Sequence, residues 1–146
     1  MPISGFLPIN RCCPTTMQHK LEEELAQAAL GVQKNAYAPY SNFRVGAAIR
    51  TATGTILTGC NFENASYGLS ICAEQAAIAA MIASGQREIT MVAVASTGAV
   101  TPCGACRQIL AEFGLNFTVV LVDSETQLVR QRWLMNELLP GAFKLL

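Results

Sequence analysis

The residues best suited to chemistry are Cys72 and Glu74, in Cys72-Ala73-Glu74, and Cys103 and Cys106, in Pro102-Cys103-Gly104-Ala105-Cys106. Three thiolates can hold one Zn²⁺ and leave a coordination position open. Three protein ligands with an open position mark a catalytic zinc, whereas a structural zinc takes four. An open zinc makes water a nucleophile at neutral pH, and a carboxylate two residues from a ligand can take up the proton and return it. The chemistry on offer is therefore hydrolysis. Three thiolates bring the ion to a net charge of about −1, so it acidifies water less than a histidine set would. Donors near sulfur must recover that acidity. Arg107, which follows Cys106, and Gln75, which follows Glu74, are the candidates; Gln75 brings no charge.

A second pair, Asn61 and Glu63, alternates on a predicted strand, so the two side chains share one face. An amide beside a carboxylate suits a hydroxyl or diol and repels a phosphate. The formal net charge of zero agrees, because gripping a polynucleotide requires a basic surface. A small uncharged ligand is the expectation, with no nucleic acid partner.

The bland alternatives weigh less. A lone C-x-x-C can be half of a structural zinc site or a redox pair, but Cys72-x-Glu74 adds to it here. A structural site needs a fourth ligand, for which His19 and Cys60 are available. His19 reads as solvated on a helix and Cys60 as a small buried hydrophobe in a strand. Cys12 and Cys13 read as exposed thiols. The six cysteines do not resemble a secreted disulfide scaffold, no secretory leader reads in the first residues, and no run of about 18 apolar residues suggests a membrane span. A reducing, cytoplasmic location is expected, with no membrane partner.

The chain of 146 residues is 51% hydrophobic and 14% charged, which suits one domain with one core and a buried subunit interface. Residues 1–16, broken by Pro2, Pro8 and Pro14, read as a mobile extension, and 17–146 as one catalytic domain. A helix is predicted over 17–36, capped by Thr15 and Gln18. Its apolar stripe comprises Leu21, Leu25, Ala28, Ala29 and Val32, with Glu22, Glu23 and Lys34 facing water. Strands follow over 43–51 and 55–63, joined at Thr53-Gly54. A helix over 71–84 ends at Gly85; its Ala76, Ala77, Ala79, Ala80 and Ala83 face is helix packing. A strand over 89–96 precedes a helix opened by Pro102 and closed by Gly114, which sets Cys103 and Cys106 in its first turn. A strand over 117–123, a short edge strand over 128–133 and a helical turn over 136–139 complete the chain. Alternating strands and helices predict a layered α/β domain whose later strands run parallel.

These residues are familiar together. Asn42-Phe43-Arg44-Val45-Gly46-Ala47-Ala48, Gly59-Cys60-Asn61-Phe62-Glu63-Asn64-Ala65, Cys72-Ala73-Glu74, Pro102-Cys103-Gly104-Ala105-Cys106-Arg107-Gln108 and Glu137-Leu138-Leu139-Pro140 resemble the small homotetrameric cytidine deaminases over roughly residues 20–143. The resemblance implies a three-layer α/β/α sandwich around a mixed five-stranded sheet. It implies hydrolytic deamination of cytidine and deoxycytidine, one zinc per subunit, and sites completed by neighbouring chains of a homotetramer. Carried over, Cys72, Cys103 and Cys106 match the zinc ligands and Glu74 the proton shuttle. Asn61 and Glu63 match the residues that hold the ribose hydroxyls, Phe43 an aromatic wall near the base, and the Ala73 backbone a contact to the pyrimidine edge. Phe143 matches an aromatic that reaches a neighbour's substrate, and Ala65 and Tyr67 lie in a loop that crosses between subunits. Many members carry Arg where this chain has Gln75; hydrogen bonding from Gln75 to a ligand sulfur is the expected substitute.

Two other functions compete with nucleoside deamination. One is deamination of another cytosine-bearing molecule, such as a nucleoside antibiotic or a polynucleotide. The other is a non-catalytic zinc-binding interaction module, in which Glu74 would be dispensable.

Overall fold

The computed structural model describes residues Thr15–Leu145. The expected extension therefore lies almost wholly outside the described residues, as do Cys12 and Cys13. Its last two positions belong to the fold: Thr15 caps the first helix, its Oγ1 accepting from Gln18 N at 3.3 Å.

That helix, α1, spans Thr16–Gln33. It is followed by β1 (Gly46–Thr51), β2 (Ile56–Cys60) and a single 3₁₀ turn at Tyr67–Leu69. Helix α2 (Ala73–Ala83), β3 (Ile89–Ser96), α3 (Gly104–Ala111), β4 (Thr118–Asp123), β5 (Leu128–Leu134) and α4 (Met135–Leu138) complete the order. The strands form one five-stranded sheet in the order β2-β1-β3-β4-β5. β1 is antiparallel to both β2 and β3, β3 is parallel to β4, and β5 returns antiparallel to β4. Parallel pairing of the later strands thus holds for β3 and β4, which α3 connects. β5 reverses because a tight turn, not a helix, joins it to β4.

Side chains alternate across the sheet and build two cores. Ala47, Ile49, Val92, Val94, Val119 and Leu121 face α2, α3 and α4. Ala48, Met91, Ala93, Ala95, Val120 and Val122 face Leu25, Ala26, Ala29 and Leu30 of α1. With α1 on one face and the other helices opposite, the fold is a three-layer α/β/α sandwich. The apolar content of β3 and β4 follows from their being covered on both faces.

The buried face of α1 is Glu22, Leu25, Ala26, Ala29 and Leu30. It is turned from the expected stripe, in which Glu22 faced water. Glu22 is only 1% exposed because Arg132 of β5 donates from Nε to its Oε2 at 2.8 Å, and an ion pair makes a buried carboxylate tolerable.

Two glycines set the distance between layers. A Cβ on Gly46 would lie 2.1 Å from Ala29 O of α1, and a Cβ on Gly59 would lie 2.2 Å from Ala77 N and 2.7 Å from Ala73 O of α2. Only a residue without Cβ lets these backbones approach so closely. Gly59 matters for the site, because the turn of α2 that it touches begins directly after Cys72. Gly59→Ala should destabilise the fold by about 1–3 kcal/mol through overpacking. Gly31→Ala, on the exposed side of α1 with nothing within 4 Å of the added Cβ, should stabilise it by about 0.5–1 kcal/mol. Urea melts of the two variants check both signs.

Candidate active site

Cys72 and Cys103 are the N-cap residues of α2 and α3, and Cys106 stands in the first turn of α3. Both helices start later than expected: Ile71 and Pro102 lie outside them, and Pro102 precedes the cap instead of opening α3. Cys103 and Cys106 are therefore three apart across a cap and a first turn, which still sets them on one side of the helix. The three sulfurs lie within 4.8 Å of one another, and among the described residues this is the cluster suited to a metal ion. A tetrahedral zinc with bonds of about 2.3 Å separates its sulfurs by about 3.8 Å, so small side-chain adjustments would bring all three to one ion. The donor set fits zinc. Two helix N-termini converge there, and their partial positive charge favours thiolate over thiol. His19, the alternative ligand, instead places Nδ1 3.3 Å from Glu23 Oε1 at the surface, and Cys60 is half-buried at the end of β2.

The electrostatics follow from crowding three sulfurs around one point. Cys72 is held down to about 6, chiefly by its hydrogen bond with Cys106. Cys106, acting toward that thiolate and buried, is pushed up. Glu74, in the first turn of α2 and 5% exposed, is raised above the usual carboxylate value by burial. A carboxyl group raised in this way holds a proton more readily than an exposed one.

Cys72, Ala73, Glu74 and Cys103 line a cavity of about 560 Å³. Phe43, Asn61, Glu63 and Tyr67 line it as well, with Val94, Val100 and Thr101. Among the described residues, no Lys, Arg or His lines it. Ala65 and Phe143 do not line it. Both are exposed, Phe143 at 69%, and the Phe143 carbonyl accepts from Gln108 Nε2 at 3.1 Å.

Asn61 and Glu63 are not on a strand. β2 ends at Cys60, and the chain then leaves β1 to bridge Tyr37 and Ile71 through Phe62. The expected first strand is shorter for the same reason, beginning at Gly46. The two side chains still face one wall, because both bind the backbone of 40–45. Asn61 Oδ1 accepts from Val45 N at 2.7 Å and Asn61 Nδ2 donates to Phe43 O at 2.9 Å. Glu63 Oε2 accepts from Tyr40 N at 2.8 Å and Ser41 N at 3.2 Å, and Oε1 accepts from Ser41 Oγ. These bonds, Ser41 foremost, lower the Glu63 pKa below the ordinary value. Tyr40 and Ser41 also line the cavity. By sequence alone, Ala38-Pro39-Tyr40-Ser41-Asn42 reads as a helix terminator. The signal passed over was a cluster of polar backbone groups opposite an acidic residue.

The two residues beside the cluster also hold the helix starts, and the Gln75 backbone N–H meets the Cys72 side chain in the capping box of α2. Gln75 Oε1 accepts from Cys72 N at 3.2 Å, so its carbonyl steadies the cap of α2 and is not aimed at a sulfur. Arg107 donates from Nε to Pro102 O at 2.8 Å, from one terminal nitrogen to Leu138 O at 2.9 Å, and from the other to Thr101 Oγ1 at 3.0 Å. It ties the approach to α3 to the end of α4. The planar fork of guanidinium donors suits three such acceptors.

A cysteine cluster beside a buried carboxylate, at two helix N-termini over a mixed sheet, suits metal-assisted hydrolysis on a layered α/β fold. Comparison with known proteins narrows the class. The family profile described as the cytidine and deoxycytidylate deaminase zinc-binding region matches residues 19–122. A probable cytidine deaminase of Dictyostelium discoideum is 44% identical over 124 residues, which is 83% of this chain and 82% of that one. A cytidine deaminase of Mycobacterium tuberculosis is 43% identical over 134 residues, 90% of this chain and 93% of that one. The crystal structure of cytidine deaminase from Burkholderia pseudomallei superposes with a TM-score of 0.77 at 45% identity, covering 82% of this chain and 97% of that one. This chain belongs to the cytidine deaminase family.

The metal-free cluster gives a direct test. Alkylation of Cys72 by iodoacetamide in chelator-treated protein should rise with pH around a midpoint near 6, because a lowered pKa keeps the thiolate populated down to that value. Added zinc should protect it. Peptide mass spectrometry across pH 5–9 reads both effects, and the ordinary thiol range of about 8.5 would contradict the assignment.

Proposed function

We propose that this protein deaminates cytidine and deoxycytidine hydrolytically, giving uridine or deoxyuridine and ammonia, with one zinc per subunit held by Cys72, Cys103 and Cys106. The observation that carries the reading is one cavity lined by Cys72, Cys103, Glu74, Asn61 and Glu63, with the Cys106 sulfur within 4.8 Å of the other two and no cationic side chain among the described lining residues. Zinc, when bound, supplies a Lewis acid that makes water nucleophilic at neutral pH.

The chain's own residues do the rest. Glu74 takes the proton of the attacking water as a C–O bond forms at C4 of the pyrimidine. It passes that proton to ring N3 and later carries one to the departing amine as the C4–N bond breaks. One carboxylate serves each transfer because the transfers follow one another at one place, and its raised pKa suits both directions. The backbone at Ala73 meets the pyrimidine edge and Phe43 forms a wall for the base. Asn61 and Glu63 take a sugar hydroxyl.

Among the described residues, no cationic side chain lines the cavity to meet a phosphate. The lining carries two carboxylates, Glu63 and Glu74, so a nucleotide would bring charge against like charge at low dielectric. That supports a nucleoside over deoxycytidylate and over a polynucleotide.

Ala65, Tyr67 and Phe143 are assigned to neighbouring subunits of a homotetramer. Tyr67 is 77% exposed and Phe143 69%, and Tyr37 and Leu69 are exposed as well, apolar surface that a second copy would cover. Gln75 and Arg107 act behind the ligands by fixing the two helix starts. Residues 17–146 are assigned to one catalytic domain, with 1–16 as an extension. No helix among the described residues is long and apolar enough to cross a membrane, and a cytoplasmic place in pyrimidine salvage is part of the reading.

Two measurements test it. Glu74→Gln should lower kcat for cytidine by about 10²–10⁴ while zinc content and melting temperature stay close to those of the parent. An interaction module would show no loss, having no turnover to lose. Cytidine 5′-monophosphate should be turned over with a kcat/KM at least about a hundredfold below that of cytidine, followed by ammonia release. Equal rates on the two would remove the nucleoside assignment.

A further inference from the structure

The cavity wall at 40–45 hangs from the two residues assigned to the sugar, and the bonds can be counted by lone pair. Glu63 Oε2 already accepts two backbone N–H groups, from Tyr40 and Ser41. Glu63 Oε1 accepts one hydroxyl, that of Ser41, which leaves it one acceptor position. Asn61 uses one N–H on Phe43 O and one lone pair on Val45 N, which leaves one N–H donor and one lone pair. A single hydroxyl can therefore donate to the remaining position on Glu63 Oε1 and accept from Asn61 Nδ2, with one lone pair of Asn61 Oδ1 also unused by the bonds above.

Ser41 completes the arrangement from a second direction. Its Oγ donates to Glu63 and accepts from Phe43 N at 3.0 Å, so it ties the carboxylate to the backbone of the residue assigned to the base. The next residue, Asn42, sits at φ 59°, in the left-handed region that Asn tolerates better than most residues. That turn folds the chain back so that the amides of 40 and 41 and the Ser41 hydroxyl all meet one carboxylate.

We propose that Ser41 is a positioning residue for the sugar: by occupying one acceptor site of Glu63 Oε1 and holding Phe43 N, it orients the remaining site toward one hydroxyl of the nucleoside. This rests on the assignment of Glu63 to the sugar made above. Ser41 acts through Glu63, so its loss should weaken sugar recognition more than base chemistry. Ribose and deoxyribose should be affected alike, because the one hydroxyl served must be common to both accepted nucleosides.

The test is steady-state kinetics of Ser41→Ala, Ser41→Cys and Ser41→Thr on cytidine, deoxycytidine and 1-methylcytosine, a base without a sugar. Ser41→Ala should raise KM for both nucleosides about tenfold, the scale of one hydrogen bond to a charged group, with the loss falling on KM more than on kcat. The loss in kcat/KM should be about tenfold larger for cytidine than for 1-methylcytosine. Ser41→Thr, which keeps the hydroxyl, should restore the nucleoside KM. Ser41→Cys, of similar size with a weaker donor, should fall between and serves as the comparison should the alanine variant not fold. Equal losses on cytidine and 1-methylcytosine, or an unchanged KM in Ser41→Ala, overturns the proposal while leaving the deaminase reading intact. Parent protein that turns over none of the three overturns both.

Discussion

Everything at the site depends on bringing the sulfur of Cys72 to within 4.8 Å of the Cys103 and Cys106 pair, which belongs to another helix. Like groups that compete for protons do not gather unless the backbone forces them to. Here the force comes from packing. Helix α2 is seated on β2 through Gly59, and α3 follows β3 by a loop whose turn includes Gly98 at φ 76° and the buried Ala99 at φ 51°. Asp123, at the end of β4, holds that loop by accepting from Gly98 N at 3.2 Å, and Ser96 Oγ accepts from Val100 N at 3.1 Å. The two caps are thus delivered by sheet geometry, and the metal need not assemble its own ligands against a large ordering cost.

The same constraint explains why the neighbouring residues are occupied as they are. Gln75 and Arg107 flank the cluster in sequence, which makes them natural candidates for tuning the sulfurs. The Gln75 carbonyl accepts from Cys72 N while its backbone N–H meets the Cys72 side chain, and Arg107 donates to Pro102 O, Thr101 Oγ1 and Leu138 O. The positions of the two helix starts are held from behind, and the electrostatic contribution to sulfur comes through the helix termini themselves.

Some of this was legible from residues alone. The period of the apolar positions revealed the long helix and the two covered strands, and Cys72, Glu74, Cys103 and Cys106 carry their spacing openly. The rotation of α1 was hidden because Glu22 reads as a surface residue until Arg132, far along the chain on β5, is known to reach it. The ends of β1 and β2 were hidden for a related reason. Asn61 and Glu63 alternate as strand residues do, but their side chains bind the backbone of 40–45, and an alternation pattern cannot distinguish a ladder from side chains doing a ladder's work. Contacts between residues distant in sequence decided each of these cases.

That last arrangement has a wider consequence. A pocket wall hung on a carboxylate has a shape that answers to acidity. Glu63 keeps its charge to below the ordinary carboxylate range, because the folded chain surrounds it with donors. A lowered pKa contributes stability above the unfolded value and loses it as pH falls through the folded one. Protonation would therefore weaken the anchoring of Tyr40 and Ser41 together. In acid, the mouth of the cavity is expected to slacken locally while the sheet behind it, held by apolar burial, stays folded.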